Sequence, residues 1–429
     1  MNTSLETAIA ARLRDGGPIK VAILGAGACA TMVARHLAAG VPHVRLVAIC
    51  NRTLSRAAAC WTEVACVQAS VVQTPAELSK SIAHGLPAVT SNPDVLCQTP
   101  EIEVVIEITG TVEFAANAVL QALQNGKHVV FVNAELDSTL GPILKVYADR
   151  AGKVLTHTDG EEPGVAMSLL RYLRSLGLRT VAAGNLKGMI DRYRTPETQR
   201  EFAAKHGMDP AKVASFADGT KLSMESTILA NASGFGVGVR GMHGPRCAHV
   251  RDMAQLLPRK QLMAGGLVDY ALGAEPFSGA FAIVHEDRPA ECKELAYFKM
   301  GDGPFYVFYT PYHLPQLQIA STIARAVLFN DATVAPAGPP VCEVVAVAKR
   351  DLSAGMILDG VGGFDCYGVI ENRRAARAEA LVPIGLSEGC RLKRPVAKDS
   401  AICASDVEFP ANRLCDKLAA EQEKVFGAN

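Results

Sequence analysis

The sequence predicts an α/β protein: a doubly wound nucleotide domain of Rossmann type, then an α+β catalytic and dimerisation domain, then a small β-rich module. Three observations carry this reading. The apolar run Val21-Ala-Ile-Leu24 ends in Gly25-Ala-Gly27-Ala-Cys29-Ala30, a G-x-G-x-x-A turn that opens an amphipathic segment. A second apolar run, Val44 to Cys50, follows at the spacing of a βαβ unit of ~30 residues. From residue 180 the texture changes to glycine-rich strand-like and helix-like pieces, and after Ala335-Pro-Ala-Gly-Pro-Pro340 to short strands between turns.

Each element has its own reason. Residues 3–14 have helical spacing and Asp15-Gly-Gly-Pro18 ends them. In the turn, Gly25 bends the chain sharply, Gly27 lets the backbone approach a pyrophosphate, and small Ala30 lets the new helix pack on its strand, with Cys29 beside it. Val104 to Thr109-Gly110 reads as a strand, Phe114 to Asn125 as a helix closed by Gly126, and His128 to Asn133 as the next strand. Leu136 to Ala151 is another helix closed by Gly152, and Val154 to Thr158 a strand that stops at Asp159. Ligands of such sheets bind beyond the carboxyl ends of the strands, which makes Thr109, Gly110, Asn133 and Asp159 candidates. Beyond them, Thr180 to Leu186, Gly279 to His285 and Phe305 to Thr310 read as strands, and Thr195 to Lys205 and Met224 to Asn231 as helices. The expected domains are 1–158, 159–334 with a helix at 315–328 that can return to the first domain, and 341–429, ending in a helix over 410–425.

The second strand ends in Asn51-Arg52-Thr53-Leu-Ser55-Arg56, with no carboxylate for the ribose hydroxyls of NAD. Asn51, Arg52 and Arg56 instead suit a 2′-phosphate, so the expected cofactor is NADP(H).

Composition narrows the partners. The 429 residues carry 43 basic and 43 acidic side chains, which cancel, so no overall field draws the chain to nucleic acid or an anionic membrane. A small-molecule partner is expected. The N-terminal residues lack a basic and apolar leader, and no run is long enough to span a bilayer, so a cytoplasmic location is expected. Twelve cysteines without a C-x-x-C pair, several in apolar runs (Cys50, Cys66, Cys342), read as reduced and structural.

The candidates for chemistry begin at the last of these strand ends. Thr156-His-Thr-Asp159-Gly-Glu161-Glu162-Pro-Gly164 clusters carboxylates that either bind a hard divalent cation or carry a proton; the alternative is an acidic turn capping the helix near Val165. Lys187, in Gly184-Asn-Leu-Lys-Gly188, and Lys221, in Asp218-Gly-Thr-Lys221, each sit beside glycine turns, and Glu225 is one turn beyond Lys221. Arg240 and Arg246 fall in a loop that also carries His243, and no acid lies beside Arg240 in the sequence.

These segments, with Tyr312-His-Leu-Pro315 and the helix that follows to Ala326, resemble the homoserine-dehydrogenase-like superfamily, and most closely its deoxyxylulose-5-phosphate reductoisomerase-like (type II) proteins. Asp351 to Asp359 and Ile384 to Asp399 resemble a SAF module, a β-clip domain. The sequence departs from homoserine dehydrogenases at Asn133-Ala134-Glu135, where their Ala-Asn-Lys context has lysine, which argues against a lysine-dependent homoserine reaction.

The resemblance implies a metal-dependent reductoisomerase of a phosphorylated ketose, 1-deoxy-D-xylulose 5-phosphate first, in isoprenoid biosynthesis. Its catalytic residues would be Lys187, Lys221 and Asp159. Mg²⁺ or Mn²⁺ would sit on Asp159, Glu161 and Glu225, and Lys187, Asp218, Arg240 and Arg246 would hold substrate. A homodimer or higher homo-oligomer is expected, with the SAF-like module attached outside the site. The rival readings are an NAD(P)-dependent dehydrogenase or oxidoisomerase of a sugar acid, and a sugar-binding protein without turnover.

Overall fold

The computed structural model describes residues 4–65 and 67–427, so Thr3 of the first expected helix and Cys66 lie outside the described residues. The contacts divide the chain into two units. The first comprises residues 1–161, 314–335 and 417–428, and the second residues 162–313 and 336–416.

The first unit is built on seven strands: β1 (Ile19–Leu24), β2 (Val44–Cys50), β3 (Ser70–Val71), β4 (Ala88–Thr90), β5 (Val104–Glu107), β6 (His128–Phe131) and β7 (Leu155–His157). They lie in the order β3-β4-β2-β1-β5-β6-β7, all parallel. This is the doubly wound sheet the sequence predicts, with the chain reversing direction across β1. A parallel sheet is covered on both faces, which is why β1 and β2 read as nearly unbroken apolar runs.

The Pro315–Phe329 helix belongs to this unit. Its Ile319, Ala320 and Ile323 enter the cluster formed by Val21 and Ile23 of β1, Ile49 of β2 and Val33 of the Ala28–Ala38 helix. Burying each of the two isoleucines contributes about 1.5–3 kcal/mol, enough to hold the segment on this unit. The closing Leu414–Phe426 helix is tied here as well: Ile143 N donates to Gln422 Oε1 at 3.1 Å, and Tyr147 Oη donates to Glu421 Oε2 at 2.8 Å.

The second unit carries a four-stranded sheet in the order β11-β10-β8-β9, from β8 (Arg179–Lys187), β9 (Leu267–Leu272), β10 (Ala280–His285) and β11 (Phe305–Thr310). β9 pairs parallel with β8, and the other pairs are antiparallel. One face is covered by the Glu162–Ser175 helix and the other by Val250, Met253, Leu257 and Leu262.

Residues 336–416 complete the same unit, a grouping different from the separate segment read between 341 and 429. Here β12 (Cys342–Ala348) and β13 (Cys366–Asn372) form an antiparallel pair. The Thr220–Ser233 helix is pinned against them: Gly368 N donates to Thr220 Oγ1 at 2.8 Å, and Ser223 Oγ donates to Gly368 O at 3.1 Å. A Cβ at 368 would come within 3.0 Å of Thr220 Cγ2 and 2.7 Å of Val344 Cγ1, so only glycine allows this approach.

Among the described residues, no helix is long and apolar enough to cross a membrane.

Candidate active site

The dinucleotide turn takes the form its glycines allow. Gly25 has φ +123°, and a Cβ there would lie 3.0 Å from Ile108 O, so the turn between β1 and its helix has room for nothing larger. Gly27 is the N-cap of the Ala28–Ala38 helix and no side chain caps it, which leaves backbone N–H groups for an anion. Ala30 is buried, and Cys29 is half-buried at the first turn. Asn51 Nδ2 donates to Thr53 O at 3.0 Å, shaping the turn from which Arg52 and Arg56 extend exposed. These residues fit a dinucleotide: a glycine cradle for the pyrophosphate, an uncapped helix start and two guanidinium groups beyond β2.

Beside this turn the structure supplies a residue that the sequence did not single out. Glu107, fully buried at the end of β5, accepts from Thr109 N at 2.8 Å, Thr109 Oγ1 at 2.5 Å and Asn133 Nδ2 at 2.6 Å. Burial outweighs these donors and pushes its carboxyl up to about 7. Asn133 also donates to Thr111 O at 2.9 Å and caps the Ala134–Arg150 helix through Leu136 N. Thr109 and Asn133, expected to bind cofactor, are thus fixed by Glu107 through their side chains, and Gly110 follows at φ +64°. The signal in the sequence was a single acid ending an otherwise apolar strand.

The second unit contains a cluster of acids and bases. Lys187, at the end of β8, donates to Glu162 Oε2 at 2.7 Å and lies 3.6 Å from Glu225 Oε2. Lys221 Nζ lies 3.6 Å from Glu225 Oε1, one turn along the Thr220–Ser233 helix. Asn185 Nδ2 donates to Glu162 at 3.0 Å, and His313 Nδ1 lies 3.9 Å from its other oxygen and 3.1 Å from Ser278 Oγ. Both carboxylates are almost wholly buried, whereas the His313 side chain is 35 % exposed, so the cluster opens to solvent on the histidine side. Burial and the neighbouring Glu225 raise Glu162 well above the usual carboxylate range, against the pull of Lys187. Burial lowers Lys187, but Glu162 and Glu225 more than offset it, so its pKa is raised and the ammonium stays charged. Lys187, Lys221 and Glu225 were expected in the site. Glu162, Asn185 and His313 were within reach of the sequence only as part of an acidic turn, a strand end and a loop.

Other expected residues fall elsewhere. Asp159 and Glu161 belong to the first unit. The Asp159 backbone N–H donates to Thr322 Oγ1 at 2.9 Å, and Glu161 is hydrogen bonded to Nε2 of the buried His157, whose Nδ1 pairs with Asp137 at 3.0 Å. Glu225 instead lies between two lysines. Among the described residues no group of three or more His, Cys, Asp or Glu could hold a metal ion, so Asp159, Glu161 and Glu225 do not fit the expected Mg²⁺ or Mn²⁺ centre.

Asp218, expected to hold substrate, is engaged within the second unit. It is buried against Lys349 at 3.0 Å and accepts from Thr220 N at 2.8 Å. The expectation of an unbalanced Arg240 is also corrected: it donates to Glu371 Oε2 at 2.7 Å and pairs with Glu379. Arg246 is exposed beside β9.

Two family models match the chain. One, described as the homoserine dehydrogenase NAD binding domain, spans residues 25–155, and the other, described as the catalytic domain of oxidoreductase DRL, spans residues 160–319. The chain is an NAD(P)-dependent oxidoreductase with a homoserine-dehydrogenase-like nucleotide domain. No curated protein matches the sequence of this oxidoreductase. Among solved structures, a homoserine dehydrogenase from Thiobacillus denitrificans is similar at 14 % identity and TM-score 0.43, over 90 % of this chain and 97 % of that one. A myo-inositol dehydrogenase from Lactobacillus casei in complex with NAD(H) and myo-inositol is similar at 13 % identity and TM-score 0.42, over 75 % of this chain and 89 % of that one. An aldose-aldose oxidoreductase from Caulobacter crescentus is similar at 14 % identity and TM-score 0.40, over 74 % and 92 %.

Proposed function

We propose that this oxidoreductase interconverts a secondary alcohol and a ketone on an unphosphorylated sugar or sugar acid, with NADP(H) as its redox partner. The observation that carries the reading is Lys187 held as a charged ammonium between Glu162 and Glu225, with Lys221 on the far side of Glu225. A hydroxyl bound at Lys187 gives its proton to Glu162, whose proton affinity burial and Glu225 raise. The ammonium then faces the developing oxyanion as the carbon loses hydride and the carbonyl forms. The bound dinucleotide supplies the hydride acceptor, or the donor in the reverse direction. His313, on the open side, passes the proton between Glu162 and water.

The reading favours the sugar-acid dehydrogenase over the metal-dependent reductoisomerase of a phosphorylated ketose. That reaction asks for a cation on convergent acids, and the acids here are matched by His157, Lys187 and Lys221. It also asks for a phosphate site, and Arg240 is paired with two glutamates. The preference for NADP(H) rests on Arg52 and Arg56, and the SAF-like character of residues 341–429 on the motifs at 351–359 and 384–399. A homo-oligomer remains part of the proposal, read by sedimentation at micromolar concentration.

The test is turnover with NADP⁺ and NADPH on polyols, aldonic and uronic acids and phosphorylated ketoses, with Mn²⁺ or excess chelator. The expected result is turnover of an unphosphorylated substrate in chelator, lowered roughly 10²–10⁴-fold by Lys187→Met or Glu162→Gln. Turnover confined to a phosphorylated ketose and dependent on metal overturns the reading.

A further inference from the structure

We propose that the second unit holds a second binding site, separate from the acid–base cluster, for a small organic anion that carries a flat ring. A cavity of about 660 Å³ is lined by Tyr193, Thr195, Lys349, Arg350, Phe364 and Lys398, together with Asp351. None of these belongs to the Glu162–Lys187–Glu225 cluster, and the volume lies within the roughly 300–1,000 Å³ of small-molecule sites.

The floor is built on one buried cation. Lys349 Nζ donates to Arg194 O at 2.7 Å, Gly363 O at 2.8 Å and Asp218 Oδ2 at 3.0 Å, and its side chain is 2 % exposed. One ammonium thus joins the loop after β8, the loop before β13 and the turn that begins the Thr220–Ser233 helix. A cavity whose walls are fixed in this way needs little ordering when a ligand enters.

The mouth offers rings and cations. Tyr193 stands at the rim, its hydroxyl donating to Asp399 Oδ2 at 2.9 Å, while Tyr367 donates to the other oxygen at 3.0 Å. Lys398 Nζ sits 3.6 Å from the centre of the Tyr193 ring, and among the described residues no carboxylate pairs with it. Phe364 is 46 % exposed, a large apolar face that the fold leaves uncovered. Arg350 donates Nε and Nη2 to Asp365 Oδ1 at 3.2 and 2.7 Å, which fixes the guanidinium while its side chain stays 54 % exposed. The acids nearby are already engaged: Asp365 by Arg350, Asp399 by two tyrosines, and Asp351 by the Lys398 backbone at 2.8 Å. Two exposed rings with two anchored cations select a ligand with a planar face and one anionic group.

The experiment is calorimetric titration of the full chain, saturated with NADP⁺ so that the dinucleotide turn is filled, with phenyl phosphate, inorganic phosphate and phenol. Phenyl phosphate is expected to bind at least tenfold more tightly than either half alone, and Tyr193→Ala or Lys398→Gln to weaken it about tenfold without changing NADPH affinity. Lys398 is exposed, so its variant carries the test if the Tyr193 variant fails to fold. Equal affinity for phenyl phosphate and inorganic phosphate, or binding that Lys398→Gln leaves unchanged, overturns the proposal. Because no turnover is read, failure of this proposal and failure of the redox reading are distinguishable.

Discussion

His157 sets the alkaline limit of the first unit. Its ring is fully buried between Asp137, at 3.0 Å from Nδ1, and Glu161 on Nε2. Burial alone would lower its pKa, but the two carboxylates more than reverse this and push it up to about 9. A pKa raised from 6.5 to about 9 means the imidazolium stabilises the fold in full below about pH 6.5 and loses that contribution as pH climbs through about 9. The difference of about 2.5 units, at ~1.4 kcal/mol each, amounts to about 3 kcal/mol. The assay is convenient: the chain has one tryptophan, Trp61, buried in the same unit with its indole N–H on Ala88 O at 3.1 Å. Urea unfolding followed by its fluorescence at pH 6 and pH 10 should show the wild type losing about 3 kcal/mol more than His157→Gln over this interval. Equal losses in the two proteins would mean that the buried ring is neutral when folded, and the argument would fail.

Three further outcomes are expected. Arg52→Ala should weaken NADPH by roughly 1.5–3 kcal/mol, at least tenfold, and leave NADH within twofold, as read by fluorescence titration of both cofactors. Glu107→Gln removes a buried carboxylate whose pKa is raised from 4.5 to about 7, so the stability of the variant relative to wild type should be flat below about pH 4.5, rise between there and about pH 7 and level off above, with Trp61 as the reporter. Lys349→Met leaves Asp218 buried without its cation, and the second unit should lose about 3–5 kcal/mol, of which Lys349→Met with Asp218→Leu recovers most; circular dichroism through urea unfolding measures both.

The nucleotide domain was legible because its signals are local. The run before Gly25, the second run to Cys50 and the strand ends at Thr109 and Asn133 are each a few residues of apolar periodicity closed by a turn, and the structure places β1, β2, β5 and β6 there. Short strands carry less pattern: β3 has two residues and β4 three, too few to stand out. β9 escaped notice because Asp269 and Tyr270 break its apolar run, although Asp269 is buried and accepts the backbone N–H groups of His243 and Gly244. The Pro315–Phe329 helix was visible as a helix from its amphipathic spacing.

Charge pairing was the part the sequence could not show, since it is decided by which distant segments the sheets bring together. Arg240 meets Glu371 and Asp218 meets Lys349 across 131 positions in each case, so an arginine with no acid beside it in the chain is fully matched in space. Even adjacent acids diverge. Glu161 turns back four residues to His157 at the end of β7, whereas Glu162 begins the next helix and faces Asn185 and Lys187 on β8. The boundary between a strand end and a helix start thus divides what reads as one metal-binding cluster into a buried imidazole–carboxylate pair and a carboxylate–ammonium pair. Only the second places a buried carboxylate with raised proton affinity against a lysine that remains charged, and for that reason the proposed function rests on Glu162 and Lys187 rather than on Asp159.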